Sequence, residues 1–297
     1  MELNSVEAVQ EALGTQRYVS EQSLATAIFL GLRLPKPLLL EGEAGVGKTE
    51  VAKALAAILD TDLIRLQCYE GLDVSHAVYE WNYPRQMLAI RILEDQDVSR
   101  DLAMGEIFGS DFLIERPLLQ AVRHGGRAPV LLIDEIDRAD EEFEAFLLEL
   151  LSDFQITIPE IGTIVAETPP IVIITSNRTR ELHDALKRRC LYHWIDYPTI
   201  DKELRIITAK VPGVSEKLAQ QIAYFIHELR REDLYKLPGV AETLDWAAAL
   251  LALNQQELTT EIASATLGAI LKHQEDVHAV RRNKLEGLVG AAVSSTE

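Results

Sequence analysis

Gly42-Glu43-Ala44-Gly45-Val46-Gly47-Lys48-Thr49 satisfies the pattern G-x-x-x-x-G-K-[ST]. Glycines at these spacings let successive backbone N–H groups turn inward and cradle an anion. A helix that begins at the end of the run adds the partial positive charge of its N-terminus. In that arrangement Lys48 reaches the β- and γ-phosphates of a nucleotide, and the Thr49 hydroxyl sits on Mg²⁺. Glu50, next in the chain, joins the nucleotide-binding set. The flanks agree: Pro37-Leu38-Leu39-Leu40 reads as a buried strand, and Val51 to Leu59 reads as an alanine- and leucine-rich helix.

A second set of residues could complete such a site. Pro129-Val130-Leu131-Leu132-Ile133-Asp134-Glu135 is an unbroken apolar run closed by two acids. Continuous apolar runs are the mark of parallel strands buried on both faces. Ligands bind beyond the carboxyl ends of such strands. Asp134 is therefore expected to hold Mg²⁺ through water, and Glu135 to orient and deprotonate an attacking water. Ile171-Val172-Ile173-Ile174-Thr175-Ser176-Asn177 is another buried strand with a polar end. Asn177 there either holds the water or the γ-phosphate, or merely caps the strand. The basic run Lys187-Arg188-Arg189 reads as a solvated helix end, or as the source of an arginine for a neighbouring subunit's γ-phosphate. Arg17-Tyr18-Val19 reads as a connecting loop, or as the wall behind a nucleotide base with Tyr18 or Val19 against it.

The elements that must carry these residues follow from pattern. Residues 5–14 and 21–32 have helical spacing, and Asp62 to Cys68 alternates as a second strand. The stretch 69–116 reads as one helix plus an insertion projecting from the core. Within it Glu94-Asp95-Gln96-Asp97 is a charged run, and Met104-Gly105-Glu106-Ile107-Phe108-Gly109 is a glycine-flanked turn with exposed apolar residues. A helix resumes over 115–123. Phe143, Phe146, Leu147, Leu150, Leu151 and Phe154 recur at helical spacing and need no role beyond packing. A hairpin is expected over 155–169, turning at Ile161-Gly162. Beyond Tyr197-Pro198 the strands stop, and helical patterns cover 200–210, 214–231, 240–253, 259–273 and 276–286. Residues 287–297 read as a frayed tail.

Composition narrows the partners. The chain has 297 residues, 47% hydrophobic and 26% charged, which is ordinary globular composition for about two structural units. A net charge of -18 argues against a general electrostatic grip on nucleic acid. Cys68 and Cys190 form no C-x-x-C pattern, so neither a disulfide framework nor a zinc site is indicated. The longest apolar run, Trp246 to Leu253, is far short of the roughly 20 residues that span a bilayer. A cytoplasmic protein is the default expectation, with peripheral membrane association through a partner as the variant.

Taken in order, these motifs resemble the AAA+ ATPases, and most closely those of the MoxR type. Tyr69-Glu70-Gly71-Leu72-Asp73, Glu80-Trp81-Asn82-Tyr83-Pro84-Arg85-Gln86 and Arg188-Arg189-Cys190-Leu191 look closest to the carbon-monoxide-dehydrogenase accessory (CoxD-like) branch. The resemblance implies an α/β P-loop NTPase: a parallel-sheet core over 1–198, with a helix-2 insert near 75–115 and a pre-sensor-1 hairpin near 155–169. An all-helical lid over 199–286 would follow. It makes Lys48 and Thr49 Walker A, Asp134 and Glu135 Walker B, Asn177 sensor 1, and Arg189 the finger arginine with Arg188 as its fallback. It departs at sensor 2: Pro238-Gly239-Val240-Ala241-Glu242-Thr243 offers no arginine. The family implies ATP and Mg²⁺ as cofactors, a hexameric ring and a von Willebrand A domain partner. It also implies a protein client, such as a molybdenum/copper enzyme, that is remodelled or helped to acquire its metal cofactor. A nucleic-acid motor or loader, and a nucleotide-gated scaffold with little turnover, are the competing readings.

Overall fold

The computed structural model describes residues 3–94 and 107–296. In chain order the first elements are α1 (Val6–Thr15), α2 (Gln22–Arg33), β1 (Leu38–Glu41), α3 (Lys48–Leu59) and β2 (Leu63–Gln67). Next come α4 (Val74–Ala77), β3 (Tyr79–Trp81), α5 (Tyr83–Glu94), β4 (Leu113–Glu115), α6 (Pro117–Val122) and β5 (Val130–Asp134). The α/β part ends with α7 (Glu141–Asp153), β6 (Gln155–Ile158), β7 (Gly162–Val165), β8 (Ile171–Ser176), α8 (Asp184–Lys187) and β9 (Leu191–Trp194). Six helices follow: α9 (Ile200–Lys210), α10 (Glu216–Leu229), α11 (Val240–Ala252), α12 (Thr260–Ile270), α13 (Gln274–Asn283) and α14 (Leu285–Ser294).

By its contacts the chain divides into two compact units. The described residues of 26–41 and 52–193 form one unit. Those of 3–25, 42–51 and 194–296 form the other. The phosphate loop thus belongs to the unit that contains the C-terminal helices.

In the first unit, five strands form a parallel sheet in the order β2-β5-β8-β1-β9. Every residue of β5 is buried, as its unbroken apolar run requires. Register fixes which residues share the carboxyl edge. Gln67 lies beside Asp134, Ile133 beside Ile174, and Glu41 beside Ser176. Helix α7 is capped by Asp140, whose carboxylate accepts from the Phe143 amide at 2.8 Å. Three glutamates in its first turn suit the positive helix start. It buries Phe143, Leu147, Leu150 and Leu151 against the sheet core. Strands β6 and β7 pair antiparallel, from Gln155 with Val165 to Ile158 with Gly162, as the hairpin reading requires.

The insert differs from its expectation. Strands β3 and β4 pair antiparallel, Tyr79 with Glu115 and Trp81 with Leu113, and tie its two ends together. Three-residue strands are too short to show an alternating pattern. Ile107 and Phe108, expected to be exposed, are drawn inward: Ile107 is buried, and the Phe108 ring meets Trp81 edge-on at 5.3 Å. The expected charged run at 95–97 and the start of the glycine-flanked turn at 104–106 lie outside the described residues.

The second unit has its own core. Phe225 packs on the fully buried Trp246 at 4.9 Å, and Leu218, Ile222, Ile226 and Leu267 surround them. The Trp246 indole N–H is satisfied by the Thr266 hydroxyl at 2.8 Å. Residues 287–294 are not a frayed tail. They belong to α14, whose Leu285, Leu288, Val289 and Ala292 recur at helical spacing and are buried. Among the described residues, no helix is long and apolar enough to cross a membrane.

Candidate functional site

The phosphate loop runs from Gly42 into the first turn of α3. Two of its positions require glycine. A Cβ on Gly42 would lie 2.1 Å from the Ile195 carbonyl oxygen. Gly45, at φ +79, occupies the left-handed region, and a Cβ there would lie 3.3 Å from Gly239 Cα. The buried Lys48 ammonium donates to the Gly42 and Glu43 carbonyls, both at 2.7 Å, so the cation lies within its own loop. This closed cradle fits a phosphate chain: its glycines leave no room for side chains, and a charged donor lies among its amides.

Beside the loop, in the same unit, is a cavity of about 230 Å³. Tyr18, Val19, Ile195, Ile206, Val240 and Leu244 give it apolar walls, and Gly45, Val46 and Gly47 form its floor. The predicted base wall is therefore placed next to the predicted phosphate cradle. Tyr18 reaches it because α1 ends in a turn at Arg17, which adopts φ +56. Burial, and then the nearby Glu50 and Glu21, push the Tyr18 hydroxyl above its ordinary pKa. Polar groups rim the cavity in pairs: Lys210 with Glu50 at 3.0 Å, and Lys202 with Glu21 at 2.7 Å.

The acids form a separate constellation at the sheet edge of the first unit. Asp134 is buried. One of its oxygens accepts from the Thr175 hydroxyl at 2.6 Å, and the other from the Arg65 guanidinium at 2.5 Å. Its carboxylate and the Thr49 hydroxyl are hard oxygen donors, the type that suits Mg²⁺. Glu135 has left-handed backbone, φ 56 and ψ 51. Its amide donates to Thr175 Oγ1 at 2.9 Å. Its carboxylate accepts from Gln67 at 3.1 Å, from Asn177 at 3.4 Å and from Arg138 at 3.0 Å. Asn177 is in turn positioned by Asp137, which accepts from the Asn177 and Thr179 amides and the Thr179 hydroxyl at 3.1, 2.9 and 2.6 Å. Burial pushes the Asp137 carboxyl up, but these donors outweigh it and hold the group below the ordinary carboxylate range. Behind the strand end, burial and then the three nearby acids push the Cys68 thiol up to about 12.

The two candidate finger arginines are exposed after α8. Arg189 donates to Ser152 Oγ at 2.8 Å and to the Ala185 carbonyl at 3.0 Å, which points its guanidinium along α7 and α8. Arg188 is the C-cap of α8.

Sequence pattern alone does not single out Arg65, Gln67, Thr175 or Arg138. Arg65 and Gln67 alternate with the buried Leu66 on β2, so they share a face. Only the β2–β5 register brings that face to the acids. Thr175 stands two residues before Asn177, on the strand beside Asp134, and its hydroxyl is bonded to both acidic residues.

Comparison with known proteins gives these motifs a setting. The family model described as AAA domain (dynein-related subfamily) matches residues 37–190, just over half of the chain. The denitrification regulatory protein NirQ of Pseudomonas aeruginosa is 25% identical over 226 residues, covering 72% of this chain and 76% of NirQ. An uncharacterized protein of Staphylococcus epidermidis is 26% identical over 259 residues, covering 85% of this chain and 88% of that protein. Among solved structures, a mutant of the Thermotoga maritima RuvB superimposes with a TM-score of 0.50 at 17% identity, over 98% of this chain and 84% of that one. That likeness concerns the fold alone.

Proposed function

This chain belongs to the AAA domain family, dynein-related subfamily, and on that footing we propose that it is an ATP-hydrolysing chaperone of the MoxR type. The observation that carries the hydrolytic part is the set of bonds on Glu135. Its carboxylate is held by Asn177, Gln67 and Arg138 at the end of a buried strand, on backbone that a glutamate adopts at a cost. That is how a general base is kept in one orientation.

In this reading Glu135 takes a proton from water as its oxygen attacks the γ-phosphorus. The bond to the β,γ-bridging oxygen breaks, and ADP leaves. Asn177 holds the glutamate and the water. Lys48 and an arginine from a neighbouring subunit, Arg189 or else Arg188, neutralise charge on the transferred phosphoryl group. Mg²⁺, held by Thr49 and through water by Asp134, would supply further neutralisation at the phosphate oxygens. Gly42, Glu43, Ala44, Gly45, Val46, Gly47 and Glu50 complete the phosphate-binding set, with Tyr18 and Val19 beside the base.

An arginine that acts on another subunit's nucleotide demands a ring, and we assign a hexamer with a von Willebrand A domain partner. The client is a protein, of which a molybdenum/copper enzyme in the course of metal insertion is the example suggested by the CoxD-like runs. The relative NirQ is named a denitrification regulatory protein, which supports a regulatory or accessory role.

ATP turnover measured against protein concentration, with mass followed by light scattering, tests this. Turnover should rise cooperatively as an assembly of about six subunits forms. Glu135→Gln should keep ATP bound while phosphate release nearly stops. Unchanged release by Glu135→Gln would remove that residue from the role, and full turnover by a monomer would remove the trans arginine. Stimulation by DNA would favour a nucleic-acid motor instead.

A further inference from the structure

Main chain fastens the start of α11 to the phosphate loop, within the unit that contains both. The Val240 and Ala241 amides donate to the Gly45 carbonyl at 3.0 and 3.2 Å. Gly239, the N-cap, has to be glycine: a Cβ there would lie 2.8 Å from the Ala44 carbonyl oxygen and 3.0 Å from Gly45 Cα. The Glu242 carboxylate folds back to the Gly239 amide at 3.0 Å and closes the cap. The carbonyl of the preceding residue, Pro238, accepts from Arg230 Nε at 2.8 Å. Arg230 itself is locked by a two-pronged bond to the fully buried Glu203, at 2.5 and 2.8 Å. One side of this cap is thus anchored in a buried ion pair, while its amides grip the loop.

A trans peptide is a rigid plane whose C=O and N–H point in opposite directions. Holding the Gly45 carbonyl towards α11 therefore aims the N–H of Val46 away from α11. Loop amides of this kind are the groups that bind phosphate oxygens. Gly45 accepts the required φ of +79 without steric cost.

We propose that the first two amides of α11 set the orientation of the Gly45–Val46 peptide, and with it the grip of the loop on the nucleotide's phosphates. Coupling between the C-terminal helices and the phosphates runs through backbone, at the place where the resembled family has an arginine. The inference rests on the reading of the chain as a nucleotide-binding ATPase.

Val240→Pro is the test. Val240 is the first residue of α11, where proline's fixed φ fits and its missing N–H breaks no helical bond. Gly239 already has the extended conformation, φ -81 and ψ -177, that proline demands of its predecessor. The substitution thus deletes one donor to Gly45 and sets the proline Cδ where the amide hydrogen pointed, which turns the Gly45 carbonyl away. Affinities for ATP and adenosine are measured by calorimetry on the full chain, with Val240→Ala as the variant that trims the side chain and keeps the amide. The ratio of ATP to adenosine affinity should fall at least two- to tenfold in Val240→Pro, the worth of one hydrogen bond; Val240→Ala, which trims the cavity wall, should weaken both ligands alike and leave the ratio within about twofold of wild type. An unchanged ratio in Val240→Pro overturns the inference. If that variant does not fold, amide hydrogen exchange of the wild type decides. ATP, and not adenosine, should slow exchange at Val240 and Ala241; equal slowing by both, or by neither, overturns it. A wild-type chain that binds adenosine and ATP equally refutes the phosphate coupling alone. One that binds neither refutes the nucleotide reading and this inference with it.

Discussion

The Glu203–Arg230 pair gives a prediction whose size follows from burial. Glu203 is fully buried and the Arg230 side chain is 7% exposed. The Thr243 hydroxyl donates to Glu203 at 2.7 Å, and the guanidinium lies over the Tyr197 ring at 4.7 Å. Glu203→Ala leaves this cation buried and without its partner. Breaking such a pair costs about 3–5 kcal/mol, because the desolvated charge remains. At roughly 2–4 °C per kcal/mol for chains of this size, the melting transition of the unit should fall by roughly 6–20 °C. Replacing both residues by Glu203→Leu and Arg230→Met removes the charges together and keeps the volume filled. That double variant should recover most of the loss, a coupling of about 3 kcal/mol in a double-mutant cycle. Thermal unfolding followed by circular dichroism, on wild type, Glu203→Leu, Arg230→Met and the double variant, measures all four corners. A double variant as unstable as Glu203→Ala would show that packing or the Thr243 bond, not charge burial, sets the cost. The double variant also lacks the Arg230 bond to the Pro238 carbonyl. It should therefore regain stability without regaining the wild-type preference for ATP over adenosine.

The acidic edge gives three more expectations. Arg65 occupies one Asp134 oxygen, so it competes with a divalent cation for that carboxylate. Arg65→Ala should lower the Mg²⁺ concentration that half-saturates ATP binding severalfold, and a raised requirement would mean that Arg65 orients Asp134 for the metal instead. Asp137 is held below the ordinary carboxylate range, so its stabilising effect is complete above the unfolded pKa of about 3.9 and is lost as pH falls through the lower folded value. The stability difference between wild type and Asp137→Asn should accordingly be larger at pH 7 than near pH 2–3, and an equal difference at both would refute the assignment. Glu135→Gly removes a left-handed glutamate's strain, about 1–2 kcal/mol, against about 0.5–1 kcal/mol of added backbone entropy in the unfolded chain. Stability should stay within about 1 kcal/mol of wild type while turnover is lost, and a large destabilisation by calorimetry would show that Glu135 serves folding.

What the sequence makes legible is decided by how locally a feature is encoded. Lys48, Thr49, Asp134 and Glu135 are readable because glycine spacing and an apolar run ending in acids are contiguous signals. The hairpin at β6 and β7 is readable because Ile161-Gly162 lies between two β-rich pieces. The insert resists the same reading. In α5 Gln86 is buried and its amide donates to the Ile107 carbonyl at 3.0 Å, while Met87, Leu88 and Ile92 are exposed. A pattern that assumes apolar residues face inward turns this helix the wrong way round. Arg65, Gln67 and Thr175 are illegible for a different reason: their importance depends on strand order and register, which no local window contains. The extent of α14 was missed because Gly287, Gly290 and Ser294 mask the spacing of its four buried residues.

Several departures from good folding practice gather at the end of β5. Glu135 is a glutamate with left-handed backbone, while Asp134 and Asp137 are acids taken out of water. Each costs stability unless its surroundings compensate. The compensation is specific. Thr175 serves both Asp134 and Glu135, the Asn177 and Thr179 amides serve Asp137, and Arg65 and Gln67 arrive from the neighbouring strand. The interiors of the central strands β1, β5 and β8 are otherwise apolar and need no such arrangement. Such costs gathered in one short stretch, each met by specific donors, point to chemistry at the end of β5. The second such place is the loop–cap contact at Gly45 and Gly239, where two glycines are required by each other's backbone. A hydrolytic edge and a phosphate grip, each held by its own network, are the two parts an ATPase must control separately. The first turn of α11 holds the Gly45 carbonyl, so in the proposed reading the grip is governed from that helix.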